Sequence, residues 1–164
     1  MESLNVCKGS KREKYQSLLP QIASLVEGEN DIIANMANIS SAIHHTFDNL
    51  WTGFYIVRPD SSPSGETLVL GPFQGPLACT RIAYGKGVCG TSWKEMKTII
   101  VQDVELFPGH IACSSLSRSE IVVPLIREGK VIAVLDIDSS EIGSYDDTDR
   151  EFLERILDNI KSEM

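Results

Sequence analysis

The strongest constraint on the fold is a pair of apolar segments joined by a tight turn. Residues 119–126 and 130–138 are rich in Val, Ile and Leu, and Glu128-Gly129 lies between them. A tight hairpin turn needs a residue that tolerates positive φ, which glycine supplies without a steric penalty. The two segments therefore predict neighbouring central strands of an antiparallel sheet.

Three amphipathic helices accompany the predicted hairpin. Apolar residues recur at three- and four-residue steps over residues 11–26 and again over residues 32–47. Asp146 or Thr148 can cap a third helix with its own apolar stripe, and Thr148-x-x-Glu151 matches a capping box. Helices are thus predicted at both ends of the chain, with the strands between them.

Shorter β-rich segments lie between the second helix and the hairpin. They cover residues 51–57, 66–70, 80–84 and 98–101. A short helix is predicted at residues 91–96, whereas residues 103–117 have no clear period, and loops of that length are commonly functional. The order of elements predicts an α+β domain with an antiparallel sheet.

Length, charge and hydropathy exclude several classes of protein. The 164 residues suffice for one ordinary domain, and the net charge of -8 opposes binding to nucleic acid or to an anionic membrane surface. The sequence has no secretion signal and no apolar run approaching the roughly 18 residues that a membrane span needs. We therefore expect a cytoplasmic protein with no membrane partner, whose thiols are kept reduced.

Three of the four cysteines share one stretch that is rich in Gly and Pro: Cys79, Cys89 and Cys113. Cys89 precedes the short predicted helix, whose N-terminal dipole would stabilise a thiolate. Cys113 lies five residues before Arg118, in the irregular segment. Either position can activate a thiol, although each cysteine taken singly is also compatible with a small buried side chain.

Zinc binding is a competing use of these three cysteines together with His110, because thiolate and imidazole are zinc ligands. The sequence has no CxxC or HxxxH pair, and among these four residues only His110 and Cys113 are closely spaced. The spacing therefore favours thiol chemistry, and we expect no metal.

Two aspartates alternate with apolar residues in the last predicted strand. Alternation places Asp136 and Asp138 on one face, roughly 6.5–7 Å apart, and Glu120 opens the partner strand. Like charges near an apolar core raise the pKa of at least one carboxyl group, which then supplies a proton at neutral pH. The alternative is that both aspartates cap the turn at residues 139–140.

The combination of acids and thiols indicates a small substrate that carries an amino group, which the acids bind, and an oxidised sulfur, with which a thiol reacts. A thiolate can attack a sulfoxide sulfur if an acid protonates the departing oxygen. The attack leaves a sulfenic acid, which a second thiol converts to a disulfide. A third thiol can pass that disulfide to an external reductant.

Seven short motifs carry a family resemblance. They are WTGFY at 51–55, GPFQG at 71–75, AC at 78–79, GKGVCGT at 85–91, GHIAC at 109–113, SEIV at 119–122 and LDIDS at 135–139. Their combination closely resembles the free methionine-(R)-sulfoxide reductases, which are GAF domains. The resemblance implies an N-terminal tail at 1–14 and a GAF domain at 15–164, with a six-stranded antiparallel sheet flanked by helices.

The same resemblance implies an activity and its partners. We expect a homodimer that reduces free methionine-(R)-sulfoxide without a metal or organic cofactor and is regenerated by a thioredoxin-like reductant. The alternative is a non-catalytic GAF module that senses or binds a small molecule.

Roles for individual side chains also follow from the resemblance. Cys113 corresponds to the nucleophile, Cys79 to the cysteine that resolves its sulfenic acid, and Cys89 to a recycling or alternative catalytic thiol. The order in which the three thiols are used stays open. Substrate-binding residues are expected to be the three acids and two aromatic residues around the methyl group: Glu120, Asp136, Asp138, Trp51 and Tyr55. For the two aromatic residues, the alternative is a pair in the core of the first strand.

Overall fold

A computed structural model describes residues 3–111 and 114–160 of the chain. Within that part there are four α-helices and six strands. The helices are α1 (Lys11–Val26), α2 (Ile32–Phe47), α3 (Gly87–Glu95) and α4 (Asp147–Asp158). The strands are β1 (Trp51–Pro59), β2 (Glu66–Gln74), β3 (Arg81–Ile82), β4 (Ile99–Val101), β5 (Ser119–Arg127) and β6 (Lys130–Ser139). A 3-10 turn at Val104–Leu106 precedes β5.

The six strands form one antiparallel sheet in the order β3-β2-β1-β6-β5-β4. The predicted hairpin is confirmed: β5 and β6 pair, and Glu128 and Gly129 both take positive φ, at 49° and 75°. The central pair is β1 and β6, and it places Trp51 opposite Asp138. On the other side of β6, Glu120 of β5 lies opposite the same aspartate. Three residues expected in the site are therefore neighbours across the sheet.

Alternation along the strands divides the interior into two apolar clusters. The larger cluster packs α1, α2 and α4 onto one face of the sheet, where Phe54, Ile121 and Leu135 are buried. The smaller cluster lies on the opposite face, beneath α3, and contains Trp51 and Tyr55. The first face supplies most of the buried apolar surface, whereas the second contains the polar side chains expected in the site.

Helix α3 begins at Gly87, four residues earlier than predicted. The amide of Gly90 donates to the carbonyl oxygen of Lys86 at 2.9 Å, and this bond starts the helix within a stretch whose glycines indicated a loop. Cys89 is consequently inside the first helical turn rather than before it.

The N-terminus of α4 is capped by Asp146, one of the two N-caps that the sequence predicts, but its capping box is not the predicted one. Asp146 is the N-cap, its Oδ1 accepts the amide of Thr148 at 2.7 Å, and Asp149 completes the capping box. The expected Thr148/Glu151 box is wrong, because Thr148 already lies within the first helical turn.

The residues before α1 contact the domain. The amide of Asn5 donates to Gln21 Oε1 at 2.8 Å, and Val6 packs against the larger apolar cluster. The predicted division of the chain into 1–14 and 15–164 stays a prediction. Within residues 3–111 and 114–160, every helix is too short or too polar to cross a lipid bilayer.

Candidate active site

A narrow pocket opens on the face of the sheet that carries α3. Its walls come from β1, β5 and β6, from the start of α3, from residues 76–78, and from four residues between the 3-10 turn and β5: His110, Ile111, Ser114 and Ser117. The space open to the centre of a water molecule is about 40 Å³, which is several times what one water needs but admits only a small ligand. A free small molecule therefore fits this site better than a polypeptide segment does.

Three carboxyl groups line the pocket: Glu120, Asp136 and Asp138. The two aspartates share one face of β6, as alternation predicts, and Glu120 reaches the same face from β5. The alternative interpretation, in which the aspartates cap the turn at 139–140, does not fit, because Asp138 Oδ1 instead accepts a hydrogen bond from Ser117 Oγ. Glu120 and Asp136 are only 6% and 7% exposed.

Burial raises the pKa of all three acids. Burial first and the charge of Asp138 second raise the pKa of Glu120 well above its usual range. The pKa of Asp136 is raised by burial and then by the charges of Glu120 and Asp138. Burial raises the pKa of Asp138 to about 6, and the hydrogen bond from Ser117 limits the rise. The pocket thus combines a carboxylate for binding a cation with a neutral acid able to donate a proton.

One carboxylate oxygen in the pocket has no partner. Asp136 Oδ1 is fully buried, and no group in the described part of the chain donates to it. An orphaned buried acceptor in a native protein indicates a missing donor, since leaving it unpaired is expensive. A ligand ammonium or hydroxyl group would supply that donor.

His110 also contacts the acids, and sequence reasoning considered it only as a zinc ligand. Its Nε2 lies 3.3 Å from Glu120 Oε2, and both side chains are largely buried. The contact ties the irregular segment to the first residues of β5. The position of His110 within GHIAC, three residues before a candidate cysteine, marks it as a possible site residue, but nothing in the sequence pairs it with Glu120.

Aromatic side chains form the apolar wall of the pocket. Trp51 and Tyr55 both line it and stack with ring centroids 5.9 Å apart. Trp51 Nε1 donates to the Pro76 carbonyl at 3.1 Å, and Tyr55 Oη donates to the Cys79 carbonyl at 2.9 Å. The two rings are therefore both core residues and pocket residues, and their polar ends hold the segment that carries Cys79.

The three cysteines of the sequence analysis occupy different environments. Cys89 lines the pocket and is buried, Cys79 is half-buried beside Tyr55, and Cys113 lies outside the described residues. The nearest described neighbours of Cys113 in the chain, Ile111 and Ser114, both line the pocket.

The expectation that a helix dipole makes Cys89 acidic is wrong. Burial raises the pKa of the Cys89 thiol well above its usual range, and the negative charges of Asp136 and Glu120 raise it further. A helix N-terminus contributes about 0.3–1 kcal/mol in typical exposed settings, too little to offset full burial beside two acids.

The group that could hold a metal ion differs from the zinc set considered above. Within the described residues, Sγ of Cys89 and carboxylate oxygens of Glu120 and Asp136 lie within 4.8 Å of one another. These atoms can instead share protons, or accept hydrogen bonds from a ligand that carries an ammonium group.

Comparisons with known proteins agree with the fold. The GAF domain family model matches residues 34–162. The chain is 55% identical to GAF domain-containing protein A of Dictyostelium discoideum, covering 95% of this chain and 96% of that protein. It is 42% identical to the free methionine-R-sulfoxide reductase of Saccharomyces cerevisiae, covering 90% of this chain and 83% of that protein.

A solved structure gives a close match across nearly the whole chain. The free methionine-R-sulfoxide reductase of Neisseria meningitidis, in complex with its substrate, is 46% identical with a TM-score of 0.92. The match covers 98% of this chain and 94% of that one. The chain belongs to the GAF domain family, among the free methionine-R-sulfoxide reductases.

Proposed function

We propose that this chain is an oxidoreductase that reduces free methionine-R-sulfoxide to methionine. The observation that carries the proposal is the pocket itself, which sets three acids, two of them buried, against an aromatic wall beside Cys89. Relatives named for this activity, with 42% and 46% identity, support the same assignment.

The pocket has a complementary group for each part of this substrate. The ammonium group can approach the three acids of the pocket, whose carboxylates attract a cation. The methyl group can pack against Trp51 and Tyr55. Because a neutral acid must lie near the sulfoxide oxygen, the pocket distinguishes the two sulfur epimers by which of them directs its oxygen toward that acid.

The first chemical step forms a sulfenic acid. Cys113 is proposed as the nucleophile, and its thiolate attacks the sulfoxide sulfur while a protonated carboxyl group donates to the oxygen. The attack forms a bond between the Cys113 sulfur and the substrate sulfur. The protonated oxygen then passes to the Cys113 sulfur as the substrate's sulfur–oxygen bond and the new sulfur–sulfur bond both break, so methionine leaves with two more electrons than the sulfoxide had and Cys113 becomes the sulfenic acid.

The second step forms a disulfide and the third removes it. The thiol of Cys79 displaces the hydroxyl group from the sulfenic acid, which gives a Cys79–Cys113 disulfide and one water molecule. A thioredoxin-like dithiol then reduces this disulfide in two exchange steps and is itself oxidised to a disulfide. The cycle needs no metal or organic cofactor.

Two further expectations stay predictions, one from the family resemblance and one from the absence of a secretion signal in the sequence. We expect a homodimer, which light scattering of the purified protein would test. We also expect a cytoplasmic protein, which fractionation of the source cells would test.

The test of the proposed function uses both epimers of the substrate and one matched pair of variants. With a thioredoxin system as reductant, the wild-type protein should turn over free methionine-R-sulfoxide and leave the S epimer unchanged. Cys113→Ser should abolish turnover, whereas Cys7→Ser should not, because Cys7 is an exposed cysteine outside the pocket. Normal turnover by Cys113→Ser would remove Cys113 from the role of nucleophile.

The alternative function is a GAF module that binds a small molecule without chemistry. An enclosed pocket is compatible with such a role, but the three acids oppose a phosphate-bearing ligand such as a cyclic nucleotide. Thermal stabilisation by a cyclic nucleotide, in a protein that does not reduce the sulfoxide, would favour this alternative.

A further inference from the structure

We propose that His110 is a positioning residue for the reduction step: its contact with Glu120 holds the segment that bears the proposed nucleophile, Cys113, against the acids of the pocket. The inference rests on the proposed function. It assigns to that reaction a histidine whose only role foreseen from the sequence is zinc binding.

The backbone of this segment does not hold it to the sheet. In the described part of the chain, the backbone groups of residues 110–117 form hydrogen bonds only within residues 107–117. The first backbone bond to the sheet comes at Arg118, whose amide donates to the carbonyl oxygen of Ser139 at 2.8 Å. Side chains must therefore fix residues 110–117 relative to the strands.

Two polar side chains, one on each side of Cys113 in the chain, attach the segment to the acids. His110 Nε2 lies 3.3 Å from Glu120 Oε2. Ser117 Oγ donates to Asp138 Oδ1 at 2.5 Å. Glu120 and Asp138 lie directly opposite each other on β5 and β6. Both attachments therefore reach one place on the sheet, where the pocket has two of its acids.

On the N-terminal side of Cys113, His110 makes the directional contact. Its side chain is 14% exposed and that of Glu120 is 7% exposed. The neighbouring Ile111 contributes apolar packing, because a Cβ on Gly87 would lie 3.1 Å from Ile111 Cδ1. Apolar contact is not directional, whereas a donor facing a carboxyl oxygen fixes both distance and angle.

An imidazole is suited to this contact in either of its protonation states. Nε2 can donate in the neutral ring and does donate in the protonated ring, and a carboxyl oxygen accepts whether or not the acid is ionised. The contact therefore requires no net charge on His110. Displacing a reacting group by about 1 Å can lower a rate by about 100-fold, so loss of such a contact should slow the chemical step.

His110→Gln and His110→Ala separate positioning from proton transfer. Gln places an amide N–H near the position of Nε2 and can still donate to Glu120, but it does not exchange a proton at neutral pH, whereas Ala removes the donor. Single turnovers at several concentrations of free methionine-R-sulfoxide give the limiting rate of methionine formation and the half-saturating concentration separately.

The proposal predicts a loss of rate that the conservative variant rescues. His110→Ala should lower the limiting rate by about tenfold or more and change the half-saturating concentration by less than about threefold. His110→Gln should keep both quantities within about threefold. His45→Ala is the matched control and should change neither, because His45 is exposed on α2 and does not line the pocket.

A second variant covers a failure to fold. If circular dichroism shows that His110→Ala is unfolded, His110→Asn takes its place, because its amide is too short to reach Glu120. The same loss of rate, again rescued by His110→Gln, is expected.

Three outcomes would overturn the proposal and leave the proposed function intact. A wild-type limiting rate in folded His110→Ala would show that the contact does not position the segment. A rate for His110→Gln as low as that for His110→Ala would indicate that the imidazole itself transfers a proton. A loss of affinity at an unchanged limiting rate would make His110 a substrate-binding residue. If the wild-type protein forms no methionine from the R epimer, it is the proposed function that fails.

Discussion

Asp138 lies between Trp51 on β1 and Glu120 on β5. Its ionisation makes the charge of the pocket depend on pH. An ammonium group binds a carboxylate more strongly than a neutral acid does, so under the proposed function we expect substrate affinity to depend on the ionised form of Asp138. Because burial raises the pKa of Asp138 to about 6, that form is lost as the pH falls through this value.

We expect kcat/KM to rise with pH through about 6, since the carboxylate of Asp138 forms in that range. Ser117→Ala removes the hydrogen bond that lowers the pKa of Asp138, and it should shift this rise to higher pH. Initial rates from pH 5 to 8 provide the measurement, with Ser64→Ala in an exposed loop as the control. A rise at the same pH in the Ser117 variant would show that another group controls it.

Asp138 also destabilises the folded protein at neutral pH. The pKa of Asp138 is higher in the folded protein than the ordinary value of 3.8, so the native state binds its proton more tightly than the unfolded chain does. Stability is therefore lost as the pH rises from about 4 to about 6 and does not return above that range. The side chain is retained for function at the expense of stability.

Asp138→Asn should therefore stabilise the protein at pH 7, by up to about 3 kcal/mol, because each pKa unit corresponds to about 1.4 kcal/mol. The difference from the wild-type protein should vanish near pH 4, while KM should increase at pH 7. Urea unfolding at both pH values measures the effect, and the exposed Glu66→Gln is the control. Lower stability of the Asn variant at pH 7 would contradict this account of Asp138.

At the scale of elements, α3 positions one wall of the pocket through a close backbone contact. A Cβ on Gly90 would lie 2.6 Å from the carbonyl oxygen of Ala83 and 3.1 Å from the amide nitrogen of Gly85. Contacts this short with backbone atoms cannot be relieved by rotating a side chain. Gly90 therefore allows the helix to pack against the turn that precedes it.

Gly90→Ala should displace α3 and with it Cys89, which precedes Gly90 in the chain. We expect stability to fall by about 1–3 kcal/mol, as for other overpacked sites, and kcat/KM to fall at least tenfold. Gly28→Ala is the control, because nothing lies within 4 Å of a Cβ at that position. Wild-type kcat/KM in a folded Gly90 variant would show that the position of α3 does not matter to the site.

Elements whose signals are local were predicted well. The β5–β6 hairpin follows from Glu128-Gly129 between two apolar runs, and the three longer helices follow from their apolar stripes. The start of α3 was missed because Gly87 and Gly90 resemble loop residues, whereas a tertiary contact is what requires glycine at 90. Strand β3 is only Arg81–Ile82, shorter than predicted, because it pairs with β2 at just two residues.

Geometry that depends on tertiary packing could not be predicted from the sequence. Alternation was enough to place Asp136 and Asp138 on one face of a strand. Sequence alone could not pair His110 with Glu120, because an irregular segment gives no register. It also gave the wrong direction for the pKa of Cys89, since a helix dipole is visible in the sequence whereas burial beside two acids is not.

At the scale of the whole molecule, the sheet face packed by α1, α2 and α4 contributes mainly to stability, whereas the opposite face carries the pocket. Asp149 is buried on the helical face, where it accepts hydrogen bonds from the Tyr15 hydroxyl at 2.9 Å and the Asp146 amide at 2.8 Å, and pairs with Lys11. This network joins α1 to α4 and does not reach the pocket.

Asp149→Ala should lower the free energy of unfolding by about 2–4 kcal/mol, because it leaves Tyr15 and Lys11 without their buried partner. The kcat/KM of the folded variant should stay unchanged. Urea unfolding and initial rates measure the two effects. Glu151→Gln, which breaks an exposed pair with Arg12, is the control and should change the free energy of unfolding little, because water and salt screen an exposed ion pair. A large loss of kcat/KM in folded Asp149→Ala would show that the faces are coupled.

A single turnover tests the central claim most directly. Reduced protein without external reductant is mixed with excess free methionine-R-sulfoxide, and the methionine formed and the thiols lost are counted per chain. The account predicts about one methionine and about two lost thiols with the R epimer, and neither with the S epimer. If no methionine forms and all thiols remain, the cysteines do not take part in chemistry, and the pocket belongs to a binding module.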